Sequence, residues 1–441
     1  MNEILVAKSK DGIKLALPND IRTSHVQIIG STGRGKTESV IIPWMMQDML
    51  QERRSLLIDG KGDKSIYDLL QHVNLEDGDG SKIAYFDIAN HTESWTTNPL
   101  KYGTSQQIVD RIFSSLEFDN SYFKIISERA CHLVVKIIHA QKKEDQSEVT
   151  FKRIFEALSD DGILAKEFSG VWEIEQKSFE SEISKFLSLK YSDRQEKLSG
   201  FLAQISPLAV GELSSILNGS NENKKDFSLS EILCPKVVDT NAYEKENFKT
   251  AVILLPTLLY QQSAAILGKI FLQEIAWGIA QRESMNFKEF TSLFLDEFSS
   301  FVYLGFLGIL NKARSTKTAI HISHQSMGDL SVISDSFAQG VHTNTNMKCV
   351  LGVNDPETAD FFAKHFGTLE TVEATERAEK NLFGELERSG SLNVRQSEAY
   401  KIHPNNLKNY SQGKGVLSFI HQGHTITEEV QFLRSPYRLQ G

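Results

Sequence analysis

Residues 30–37 read Gly-Ser-Thr-Gly-Arg-Gly-Lys-Thr, and this octapeptide constrains the fold more than any other feature of the chain. It fits the phosphate-loop pattern GxxxxGK[ST]. Its surroundings fit too, because the apolar run His25–Gly30 reads as a strand and Lys36–Gln51 as a helix. Glycines at Gly30, Gly33 and Gly35 let backbone N–H groups turn toward phosphates, with Ser31, Thr32 and Arg34 completing the cradle. Lys36 places a cation on the β- and γ-phosphates, Thr37 offers a hydroxyl to Mg2+, and the helix N-terminus adds its dipole. These residues predict ATP and Mg2+ as ligands.

The remaining texture places that loop in an α/β protein. Ile4–Lys8 and Ile13–Leu17 alternate around Asp11-Gly12, a hairpin signal that Pro18 ends. Ser55–Asp59 and Lys82–Ile88 are further buried strands. From about Ser105 to Ser230 the periodicity is helical, with no convincing strand. Short apolar runs then return at Thr250–Leu255, Ser292–Asp296, Ala319–Ser323 and Cys349–Val353. The expected organisation is one α/β nucleotide-binding domain built from 1–103 and 236–441, interrupted by an all-helical insertion at 104–235. Glu373–Ala399 is charged and aperiodic, and is expected to be mobile or irregular. Lys414–His421 and His424–Phe432 read as a closing hairpin.

Composition excludes some classes. Three widely spaced cysteines make neither a disulfide framework nor a zinc cluster and point to a reducing compartment. A formal net charge of −9 argues against coating nucleic acid by charge alone, while leaving room for a local basic channel. The apolar runs Ala251–Tyr260 and Ser299–Leu310 are about half the roughly 20 residues a spanning helix needs, so no bilayer span is expected.

Ser292-Leu-Phe-Leu-Asp-Glu297 is an apolar strand ending in two carboxylates. Asp296 is suited to hold Mg2+ through water, and Glu297 to orient and deprotonate the attacking water. Neighbouring side chains on a strand point opposite ways, so both roles require the strand to end there. Gln325, after the strand Ala319–Ser323, is placed to sense the γ-phosphate. Arg314 is the candidate finger toward a neighbouring subunit's nucleotide, with Lys317 its rival. Asp59 and Lys61 end the strand after the phosphate loop and flank the site. A GTPase reading from Asp59-Gly-Lys-Gly62 and Asn223-Lys-Lys-Asp226 fails on context. The second motif follows no strand, and Asp296-Glu297 would go unused.

Together these segments resemble the coupling ATPases of bacterial conjugation and type IV secretion, the TraD and TraG group. The matching stretches are GSTGRGKT with VIIP (Val40–Pro43), Ser55–Asp63, Thr97–Leu100, Phe294–Phe298, Lys312–Ser326, Met347–Gly367 and Tyr400–Leu407. The resemblance implies a RecA-like P-loop domain with an inserted all-α domain, related to the FtsK and HerA motors. It implies a homo-hexameric ring with Lys36, Thr37, Asp296, Glu297 and Gln325 acting in cis and Arg314 in trans. It further implies DNA, or a relaxase–DNA or protein substrate, passed to a type IV secretion channel at the cytoplasmic face of the inner membrane. Membrane contact is then expected through a partner or an absent anchor, since the chain starts at the hairpin. Arg34 stands where the family usually has a small residue, and is expected to touch phosphate or face solvent. The competing readings are a soluble HerA- or FtsK-like DNA translocase and a nucleotide-stabilised docking platform.

Overall fold

A computed structural model describes residues 3–78, 82–141, 148–218, 225–237, 248–380 and 386–435. Asn223 and Lys224 of the rejected GTPase motif lie outside them. The strands in chain order are β1 (Glu3–Ser9), β2 (Lys14–Pro18), β3 (Val26–Ile29), β4 (Arg54–Asp59), β5 (Ile83–Asp87), β6 (Thr96–Thr97), β7 (Asp226–Phe227), β8 (Thr250–Leu254), β9 (Thr291–Asp296), β10 (Thr318–His324), β11 (Met347–Val350), β12 (Thr368–Lys380), β13 (Leu386–Tyr400), β14 (Lys414–His421) and β15 (His424–Phe432).

Eleven of them form one sheet in the order β2-β1-β15-β14-β11-β3-β10-β9-β4-β8-β5. The block from β11 to β5 is parallel throughout. Its strands are buried along their whole length, as helices on both faces require, which is why they read as continuous apolar runs. Both predicted hairpins join this sheet as an antiparallel flank, because β1 pairs with β15 and β14 with β11. The sheet is therefore mixed, with a parallel core. Gln422 and Gly423, both at positive φ, turn the β14–β15 hairpin.

Every strand of the large sheet comes from before residue 88 or after residue 249. Between them lie the helices Ser105–Phe113, Ser121–His139, Phe151–Ser159, Asp161–Ser169, Glu173–Leu187, Tyr191–Ala209, Ser214–Leu217 and Leu229–Leu233. One short strand occurs in this region against expectation: β7 pairs with β6 and stitches the two ends of the helical stretch together. The helix after the phosphate loop also differs in detail. Its first turn, Thr37–Ile41, is a π-turn, and the α-helix proper is Ile42–Leu50.

Two further expectations are corrected. The backbone over Thr368–Lys380 and Leu386–Tyr400 is no irregular segment but a long antiparallel ribbon. Its charge masks a period of two that an apolar alternation would have announced. The helix Gln261–Ser284 is long and apolar enough, by length and composition, to cross a membrane, and the search for apolar runs missed it. In the fold it packs against the helices Ser105–Phe113, Leu229–Leu233 and Phe306–Ala313, with Glu274 and Arg282 buried on it.

A buried clamp sets the helix Ile42–Leu50 on the sheet. Arg22 and Asp48 are both fully buried and meet in two parallel hydrogen bonds of 2.8 and 2.6 Å. Arg53 adds a 3.0 Å bond to the same carboxylate. The neutral ring of His321 on β10 accepts from Arg22 at Nε2 and donates from Nδ1 to the carbonyl of Leu293. Removing one partner strands a buried charge. Asp48→Ala is thus expected to cost about 3–5 kcal/mol, read as a lowered urea midpoint.

Imidazoles in and beside the sheet are held neutral: His25 and His324 are buried, His342 is half-buried and His365 lies exposed on its helix. Burial, chiefly, lowers the pKa of His25, His324 and His365 to about 4 and of His342 to about 3. The unfolded chain then binds more protons than the folded one between about pH 4 and 6.5, so stability is full above that window and is lost as pH falls through it. Asp59, Asp226 and Glu274, whose carboxyl pKa burial raises, oppose this but are fewer. The urea midpoint is expected to fall between pH 7 and pH 5, and an unchanged midpoint refutes the assignment of these histidines as neutral.

Candidate nucleotide site

The parallel register brings the strand tips to one edge. His324 of β10 lies beside Ile29 of β3, and Asp296 of β9 beside Asp59 of β4. The loop after β3 therefore faces the residues that end β10, β9 and β4. Gly33 (φ 77) and Gly35 (φ 92) hold the left-handed conformations that the phosphate loop demands. The cleft is lined by 31–33, Gly35, Lys36, Thr37 and Glu38 from this loop, by Asp59, Lys61 and Asp63 after β4, and by Asp296 and Gln412.

Within it, Thr37 Oγ1 donates to Asp296 Oδ2 at 2.6 Å, and Ser323 Oγ to Asp296 Oδ1 at 2.7 Å. Glu297 follows Asp296 at φ 52, so the chain leaves the strand through a left-handed turn. That turn brings the second carboxylate to the same edge. Gln325 Nε2 donates to Glu297 Oε1 at 2.8 Å, and Thr32 Oγ1 donates to Gln325 Oε1 at 3.0 Å. Glu297 Oε2 is buried and, among the described residues, has no hydrogen-bond partner. Lys61 Nζ stands 3.6 Å from it and 3.8 Å from Asp296 Oδ2.

Lys36 Nζ donates to the Gly30 carbonyl at 2.5 Å. Burial lowers its pKa against the pull of Asp296. Burial also works to lower that of Lys61, but Asp296, Glu297 and Asp59 outweigh it and raise it. Asp59 is pushed up to about 7 by burial and by Asp296. A triphosphate and a divalent cation fit this donor set. Glycine backbone and two lysines face the space for phosphates, and the Thr37 hydroxyl and Asp296 face the space for a metal.

Arg34 takes neither of its expected positions. Its guanidinium donates to the Tyr410 carbonyl at 2.9 Å and to Asn354 Oδ1 at 3.0 Å, while Gly413 N donates to the Arg34 carbonyl. It fastens the phosphate loop to the segment leading into β14. Arg314 lies beyond the start of β10, on the sheet edge opposite the phosphate loop, and is exposed. It does not join the site of its own chain.

Several site residues escaped sequence reasoning. Ser323 carried no motif. Asp329 caps the turn of Gln325 and Ser326 through their N–H groups at 2.7 and 3.1 Å. The acceptor pattern around that turn was its only signal. Gln412 reaches the site from the turn that leads into β14 and donates to Glu38. Gln27 on β3 supports the edge from below by donating to His324 Nε2 at 2.9 Å.

Residues 291–409 match the family described as the TraM recognition site of TraD and TraG. That stretch carries Asp296, Glu297, Arg314 and Gln325. Over that stretch the chain is similar to the TraD and TraG proteins. It is 23% identical over 418 residues to the type 4 coupling protein DotL of Legionella pneumophila, covering 81% of this chain and 51% of DotL. The chain thus spans about half the length of that relative. Among solved structures, the plasmid coupling protein TrwB in complex with ADP and Mg2+ superposes with a TM-score of 0.66 at 14% identity, covering 100% of this chain and 91% of TrwB. VirB4 of Thermoanaerobacter pseudethanolicus superposes at 0.61 and 14% identity, covering 98% of this chain and 97% of that one. These likenesses are of fold: the chain shares the mixed α/β architecture of the TrwB and VirB4 structures.

Arg34→Ala is expected to lower stability by about 1–2 kcal/mol and to speed hydrogen exchange at the Gly413 amide. Unchanged exchange there would show that Arg34 does not carry the contact.

Proposed function

We propose that the protein is an ATP-hydrolysing motor that couples DNA, or a relaxase–DNA or protein substrate, to a type IV secretion channel. The observation that carries this reading is the Thr37–Asp296 contact beside the Glu297–Gln325 pair, in a chain related to TraD and TraG. TrwB binding ADP and Mg2+ in the same fold supports the ligands, and DotL supports the secretion role.

Bound Mg-ATP supplies a terminal phosphoanhydride bond open to in-line attack by water and a metal that neutralises the charge developing on the phosphates. The backbone of Gly30–Thr37 binds the phosphate chain. Lys36 leaves the Gly30 carbonyl for phosphate oxygens. Thr37 and Asp296 would hold the cation and its waters. Glu297 orients the attacking water and takes its proton on the carboxylate. Gln325 holds Glu297 in place and links it to Thr32.

Arg314, remote from its own site, is assigned to the nucleotide of a neighbouring copy in a homo-hexameric ring. Residues 104–235 form the domain that receives the substrate, and 1–103 with 236–441 the motor domain. The motor is placed at the cytoplasmic face of the inner membrane.

The test is the ATPase rate against protein concentration, with single- and double-stranded DNA and with Lys36→Ala as blank. A steep rise with both is expected. Glu297→Gln is expected to bind ATP and lose at least about a hundredfold in turnover. Normal turnover by Glu297→Gln refutes its role as base. A Lys36-dependent rate indifferent to DNA and concentration supports a docking platform instead.

A further inference from the structure

Among the described residues that line the cleft, Lys61 is the cation that the phosphate-loop pattern does not assign. Its backbone is held in place, since Asp59 accepts from Lys61 N at 3.2 Å and from Asp63 N at 2.9 Å. Gly60, on the same turn, donates to the Asp296 carbonyl and approaches Glu297 so closely that an added Cβ would lie 3.1 Å from that residue's Cβ. The turn is therefore fixed against the acidic pair. The side chain is not, being 45% exposed and lining the same cleft as Lys36 and Thr37.

Its ammonium stands between Asp296 and Glu297 at 3.8 and 3.6 Å, longer than a close ammonium–carboxylate hydrogen bond to either. That is a Coulomb contact without the geometry that would lock it. The Glu297 oxygen it faces is the one without a hydrogen-bond partner among the described residues. An ammonium so placed neutralises the carboxylate that would act as a base. The terminal phosphate of a triphosphate carries more charge than one carboxylate and offers three acceptor oxygens to the same flexible four-carbon stem.

We propose that Lys61 distinguishes triphosphate from diphosphate: it rests on Asp296 and Glu297 until a terminal phosphate draws it away, and so frees the base only when there is a bond to cleave. Asp59 holds the turn from which it swings. The inference rests on the nucleotide-hydrolysis reading above and adds a residue and a specificity to it. With a diphosphate bound, Lys61 stays on the acidic pair.

The test uses Lys61→Met and Lys61→Arg in the full chain. The affinities of Mg-ATPγS and Mg-ADP are read by competition with a fluorescent nucleotide, and turnover is measured in parallel. Lys61→Met is expected to weaken ATPγS about tenfold or more while ADP changes by less than about twofold, and to lower kcat. Lys61→Arg is expected to restore much of the preference, since it keeps the cation. Equal weakening of both nucleotides in Lys61→Met would reduce Lys61 to a structural role, and an unchanged ratio would remove it from the terminal phosphate. Either result overturns the inference but leaves the hydrolysis reading standing. Failure of the wild type to bind either nucleotide in a Lys36-dependent way overturns both. An unchanged melting temperature for the variants shows that folding is not the cause.

Discussion

The parallel pairing of β3, β10, β9 and β4 is the constraint on which everything at the cleft depends. In a parallel block the C-terminal ends of all strands share one edge, and here the register sets Ile29 beside His324 and Asp59 beside Asp296. The loop 30–37, Gln325, the acidic pair and Lys61 therefore leave the sheet at the same level, though they come from separate parts of the chain. A slip of one residue in β9 would turn Asp296 to the other face of the sheet. The hydrogen bonds from Thr37 and Ser323 to the two oxygens of Asp296 report that the register is held.

The same constraint explains the conformation of Glu297. Two consecutive strand residues cannot both face one cleft. The strand ends at Asp296, and the left-handed turn at Glu297 redirects the second carboxylate toward Gln325. A non-glycine residue in that region costs of order 1–3 kcal/mol, which the Gln325 bond and the packing of Gly60 against Glu297 offset. The buried Arg22–Asp48 pair performs a similar service behind the phosphate loop, tying its helix to β10 through His321. Gly35 faces the backbone of Gly413 so closely that an added Cβ would lie 3.2 Å from its nitrogen, and Arg34 seals the same junction. The closing hairpin is therefore part of the wall of the site as well as an edge of the sheet.

Much of this was legible in the residues. The phosphate loop, the strand Ser292–Asp296 with its two carboxylates, Gln325 and both hairpins could be read because each is a local pattern: apolar runs bounded by turn residues, or charges at fixed spacing. The paired strands Thr368–Lys380 and Leu386–Tyr400 were not legible, because they carry charge where an apolar alternation would have announced them. Gln261–Ser284 escaped because its polar residues break any uninterrupted apolar run, although as a helix it is long and apolar enough. Arg34 was misjudged because its partners, Tyr410 and Asn354, lie more than 300 residues away along the chain.

By itself, the sequence marked Gly30–Thr37, Asp296, Glu297 and Gln325 as candidate groups, since the chemistry of phosphate and metal binding restricts residue type and local spacing, while Ser323, Asp329 and Gln412 carried no such local pattern. Only the tertiary structure decided their partners. It placed β10 between the phosphate-loop strand and the acidic strand, set Lys61 against Glu297, and left Arg314 on the opposite edge. Strand order and register arise from how the helices and the antiparallel flank pack around the sheet. That is a balance of contacts between segments far apart in the chain, and local patterning does not encode it.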